Sequence, residues 1–182
     1  MVLLFPRNAF SQSAEERGLR LLSKGKYFTL YGPTNLNISG ILSKLDFDYT
    51  SQFDTLYEKD STDLTDILAK TIDSIYLESA DILDIHVYSF EGNIKFLFNQ
   101  NDVEIVFKDY FKQSLGERSF YIADNKTIYI SYEDLTLGML AHEIAHAIMS
   151  AYFVVPPPTK VQEVLAGYVE YTLRKKSGNL SK

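Results

Sequence analysis

His142 and His146 lie four residues apart, and Glu143 directly follows the first of them, in the stretch His142-Glu143-Ile144-Ala145-His146. On a helix, side chains at that spacing stand one above the other with Cβ atoms roughly 5–6 Å apart. Two imidazoles so placed can both reach a single ion at a Zn–N distance of roughly 2.0–2.1 Å. Glu143 is rotated from His142 by about 100° on an ideal helix, so it misses the metal and stands beside the metal's open position. That is the place a general base needs for metal-assisted hydrolysis. Leu137, Leu140, Ala141, Ile144, Ala145 and Ile148 make the same segment strongly apolar. Burying two histidines and a glutamate there for bulk alone would be costly, and a shared cation removes that cost.

A third ligand can be sought by elimination. The chain has no cysteine, so any metal is held by nitrogen and oxygen. The remaining histidine, His86, is far upstream, and Tyr152 stands where a metzincin would carry its third histidine. Downstream of His146 the acidic residues are Glu163 and Glu170. Glu163 follows Pro156-Pro157-Pro158 in the first turn of a final helix, and Gly167 one turn on leaves room for a neighbouring helix. Glu170 has Arg174 four residues away and reads as half of a surface ion pair. Glu163 is the better ligand.

His142-Glu-Ile-Ala-His146 followed by Glu163-Val-Leu-Ala166 resembles the gluzincin metallopeptidases, the thermolysin-like branch of the zincins, and most of all their small bacterial peptidase-MA-like members. The resemblance is specific over residues 127–173. It implies a zincin-like α+β fold with Zn2+ held by His142, His146 and Glu163, Glu143 as general base, and a peptide or protein substrate. It further implies that Thr127, Ile128, Tyr129 and Ile130 form an edge strand along which substrate pairs. The chain departs from the family at Gly167, where many gluzincins carry an aspartate that supports the first histidine.

Glu143-Ile-Ala-His146 also matches the Glu-x-x-His motif of di-iron helical bundles, but those need a second copy. Neither His86 nor His142 has a glutamate three residues before it. Two further possibilities keep the zincin fold: a metal-binding regulatory module without catalysis, and a hydrolase acting on a non-peptide substrate. Tyr152, Tyr168 and Tyr171 are close enough in sequence to offer an oxyanion donor, although tyrosines on helices are more often core.

Several elements must position these groups. The site helix reads from about Glu133 to Phe153. The last helix opens at Thr159, with Gln162 at the capping-box position. Phe120-Tyr-Ile and Thr127–Ile130 flank Asp124-Asn125 as a hairpin. Leu64, Ile67, Leu68, Ile72, Ile75 and Tyr76 form one stripe of a helix over 62–79. A further helix is expected from Asn101 to about Leu115, and a short one around Ile38–Leu45. Tyr27–Tyr31, Ile85–Phe90 and Ile94–Phe98 read as strands, with 8–24 as an N-terminal helix or arm. The whole is a mixed α and β chain read as one domain over 1–182.

Composition is close to the usual values for a soluble globular protein. Of the 182 residues, 46% are apolar and 23% charged, and twelve Phe with thirteen Tyr supply bulk for a core. A formal charge of −6 argues against a nucleic-acid binder, which shows a basic face. No apolar run reaches the length of a membrane span. Met1-Val-Leu-Leu-Phe-Pro is too short for a signal-peptide core, so the chain reads as cytoplasmic, or as an exported protein written without its signal.

Overall fold

The computed structural model describes residues 2–3, 18–45, 63–114 and 116–178. Its centre is a mixed sheet built from β1 (Val2–Leu3), β2 (Arg20–Lys24), β3 (Phe28–Gly32), β4 (Gly92–Leu97), β5 (Ser119–Ile122) and β6 (Thr127–Ser131), in the order β1-β5-β6-β4-β3-β2. The helices are α1 (Ile38–Lys44), α2 (Leu64–Leu83), α3 (Gln100–Phe111), α4 (Leu137–Tyr152) and α5 (Thr159–Lys176). None of them is long and apolar enough to cross a membrane.

Alternation along the strands assigns the two sides of the sheet. Ile94, Phe96, Ile128 and Ile130 join the larger core with α2, α4 and α5. Leu97, Phe120, Ile122 and Tyr129 face the other way and pack with Val103, Val106 and Phe107 of α3. β6 therefore has both faces covered, and all five of its residues are buried. A near-continuous apolar run is what such a central position demands. β6 bonds to β4 in parallel and to β5 in antiparallel register. Thr127–Ile130 are thus not an edge strand, and no peptide can add alongside them. Among the described residues the outer strands of the sheet are β1 and β2. β5 meets β1 only at Tyr121 and Ile122, which leaves Ser119 and Phe120 without a strand partner on that side among the described residues.

The hairpin, the central helices and the short α1 form where the sequence patterns place them, with shifted ends. α2 runs on to Leu83, where Asp84 takes a left-handed conformation (φ 54°) and ends it. α3 is capped by Asn99, whose side chain accepts from Asp102 N, rather than by Asn101. α4 begins only at Leu137, because Thr136 caps it by accepting from Met139 N. Two expectations are overturned. Residues 20–24 are strand β2, not helix, because their backbone pairs with β3. Ile85–Phe90 is a loop in which buried Ile85 and Phe90 anchor the chain without strand pairing. The part of the N-terminal arm over 8–17 and the connection over 46–60 lie outside the described residues.

Asp73 ties α2 to the sheet. Its carboxylate, 4% exposed, accepts from Lys26 N at 2.7 Å and Tyr27 N at 3.0 Å. Burial raises its proton affinity while those two donors lower it. A Cβ on Gly25 would come within 2.8 Å of both carboxylate oxygens, so glycine is required for the turn to close on them. Asp73→Ala strands two amide donors, one of them buried, and should destabilise the fold by about 1–3 kcal/mol. Urea unfolding of the variant should show a lower midpoint, while metal binding to the folded protein is unchanged.

Candidate metal centre

α4 is helical because nothing in Leu137–Tyr152 interrupts it and its cap is in place. It is buried because Leu140, Ala141, Ile144, Ala145, Ile148 and Met149 are all fully enclosed. Each enclosed Leu, Ile or Met contributes roughly 1.5–3 kcal/mol relative to exposure, enough to carry polar groups in with them. His146 and Glu143 are carried in, at 0% and 3% exposure. α5 lies against α4, and its inward residues Ala166, Val169 and Leu173 seal the contact.

This pairing brings three ligand-bearing side chains to one point. His142 Nε2 and His146 Nε2 are 3.2 Å apart. Glu163 Oε2 is 3.4 Å from His142 Nε2, and Glu163 Oε1 is 3.5 Å from His146 Nε2. Tetrahedral bonds of about 2.0–2.1 Å would separate neighbouring ligand atoms by about 3.3–3.4 Å. The observed separations are close to that figure, with a different Glu163 oxygen turned to each ring. A hydrogen bond between the two imidazoles would leave the carboxylate out, whereas a cation can engage all three groups. His142, His146 and Glu163 are accordingly a group that can hold a metal ion.

Electrostatics divides the groups on this turn of α4. Burial pushes His146 down to about 2, so the ring is neutral and offers a lone pair. Burial works against the charged form of His142 too, but Glu170, Glu143 and Glu163 outweigh it and raise its proton affinity. Burial raises Glu143, against the hydrogen bond that Ser119 Oγ donates to Glu143 Oε1 at 2.8 Å. Oε2 of Glu143 is buried and has no hydrogen-bond partner among the described residues. Glu143 borders a cleft of about 620 Å3 whose wall also includes His142, Glu163, Ser119 and Arg118.

The structure corrects several expectations for individual residues. Glu170 is not confined to its pairing with Arg174, because its Oε2 lies 3.4 Å from His142 Nδ1. Gly167 is not a point of close approach, since a Cβ there would meet nothing within 4 Å. Gly138 is: a Cβ would lie 2.7 Å from Arg174 Cδ and 3.0 Å from Glu170 Cγ. Gln162 makes no capping box, for Pro158 is the N-cap and the Gln162 side chain donates to Pro157 O. His86 is remote from the cluster and bonds Asp81 Oδ1 at 2.8 Å. Tyr152, Tyr168 and Tyr171 are more than half exposed, and none borders the cleft. No sequence signal marks Ser119, because its role depends on the hairpin crossing α4. The one sequence signal for Glu170 is its seven-residue spacing from Glu163, two turns along the same face.

No protein-family model matches this chain, and neither does any curated protein or solved structure. The geometry of the cluster is therefore what assigns its residues. With zinc as the probe ion, Glu163→Ala should weaken metal binding at least about 100-fold, beyond what loss of an outer-shell group costs. Competition with a coloured chelator measures it, and an unchanged affinity would remove Glu163 from the ligand set.

Proposed function

We propose that the protein is a zinc-dependent peptidase of the gluzincin type, with His142, His146 and Glu163 as ligands and Glu143 as general base. The observation that carries this reading is the convergence of His142 Nε2, His146 Nε2 and the Glu163 carboxylate, 3.2 to 3.5 Å apart, beside a buried Glu143 that borders the cleft. A zinc ion held there would supply Lewis-acid polarisation of a carbonyl and acidification of water. The chain's own residues do the rest. Glu143 Oε2 takes a proton from the attacking water and later delivers it to the leaving amine. Ser119 holds the other oxygen of that carboxylate and so sets its direction.

The sheet supports the same reading. β5 is antiparallel to β6 and carries Ser119 on its α4 side. On the outer side of β5 no strand pairs with Ser119 among the described residues, and an extended peptide can pair with main-chain groups so placed as one more strand. It would then pass along α4 within reach of Glu143. The substrate-pairing role expected of Thr127–Ile130 thus falls to the neighbouring strand of the same hairpin.

Elemental analysis of purified protein should give about one zinc per chain, removable by chelator, and digestion of a peptide library should depend on that zinc. Glu143→Gln keeps the shape of the side chain but not its basicity. It should bind zinc as the wild type does and hydrolyse peptides about 100- to 10,000-fold more slowly. Two irons per chain, no zinc after loading, or near-wild-type turnover by Glu143→Gln would each overturn the proposal.

A further inference from the structure

We propose that Glu170 is the positioning residue for His142, and that Gly138 and Arg174 form the seat that holds it there. This rests on the reading of His142, His146 and Glu163 as a metal site and goes beyond the ligand set. His142 is engaged from both ends of its ring. Nε2 faces His146 and Glu163, while Nδ1 faces Glu170 Oε2 at 3.4 Å. A neutral imidazole carries one proton, and which nitrogen holds it is set by the partner of the other. A carboxylate at Nδ1 keeps the proton there and leaves the Nε2 lone pair directed at the cluster. Glu163 and Glu170 are seven residues apart on α5, about 10.5 Å along its axis. The His142 ring fills the span between their carboxylates.

Glu170 is itself held. Its Oε1 lies 3.5 Å from Arg174 Nη1, so one oxygen serves the arginine and the other the histidine. The aliphatic stem of Arg174 passes over Gly138, one turn before His142 on α4. Glycine inside a helix is unfavourable relative to alanine. At this position a Cβ would lie 2.7 Å from Arg174 Cδ and 3.0 Å from Glu170 Cγ, and both side chains would have to move. Gly138 therefore trades helix propensity for the placement of Glu170. Gly167, where many gluzincins carry the supporting aspartate, has only open space beside it, and the longer glutamate one turn further on takes the contact.

The test uses the full chain with zinc as the probe. Glu170→Ala and Gly138→Ala should each bind zinc about 10- to 100-fold more weakly than wild type, by chelator competition. Gly138→Ala should do so while the thermal midpoint of the metal-free protein is unchanged or higher, since alanine favours the helix. A loss of affinity through general destabilisation would lower that midpoint instead. In metal-free wild type, 15N shifts of His142 should report the Nδ1–H tautomer, and in Glu170→Ala a mixture of tautomers. Wild type that binds no zinc would remove the metal reading itself. Wild type that binds zinc, with both variants matching its affinity and the His142 tautomer unchanged, would leave the metal site standing and overturn the role of Glu170. If Gly138→Ala fails to fold, Glu170→Ala and the tautomer measurement still decide the matter.

Discussion

The burial of a neutral imidazole at His146 is the constraint around which the rest of the site is arranged. With no solvent access, the ring cannot take a proton at ordinary pH, so its nitrogen lone pair is available to whatever lies opposite. Opposite it lie another ring nitrogen and a carboxylate. Lone pairs that converge there repel one another, and a cation between them would remove that repulsion. The arrangement is also directional. His146 cannot rotate out of its enclosed site, so His142 and Glu163 must come to it.

What brings them is the pairing of α4 with α5. α4 is apolar over most of its circumference and lies between the sheet and α5, so its register is set by packing on several sides. Along it, β5 makes two polar contacts on successive inward residues. Ser119 donates to Glu143, and the Tyr121 hydroxyl meets Ser150 Oγ at 2.8 Å. Burial raises the Tyr121 hydroxyl to about 12, which keeps it protonated and available for that bond. The strand is thereby held to the helix at both ends, and Ser119 lines the cleft.

Glycine placement follows from the same packing. Where α5 lays Arg174 and Glu170 across α4, a side chain at Gly138 would clash. At Gly167 nothing comes within 4 Å of a Cβ among the described residues. Neither relation can be read from a glycine in a helical sequence, because each depends on what the opposing helix presents there.

Local features were legible in the residues alone. The i,i+4 spacing put His142 and His146 on one helical face and turned Glu143 aside, and the apolar residues around them required burial. Elimination among three histidines and the two acidic residues downstream of His146 left Glu163 as the candidate third ligand, and the turn signal at Asp124-Asn125 marked the hairpin. Helix periodicity and turn chemistry act over a few residues, which is why a linear pattern carries them. Folding in three dimensions settled that Thr127–Ile130 lies inside the sheet, that Ile85–Phe90 stays unpaired while residues 20–24 join the sheet, and that Glu170 meets His142 and not Arg174 alone. Strand order depends on hydrogen bonds between segments far apart in the chain, and the contacts of a side chain two turns along a helix depend on the register of the helix packed against it. Both are set when distant apolar surfaces close on one another, which no local pattern in the residues records.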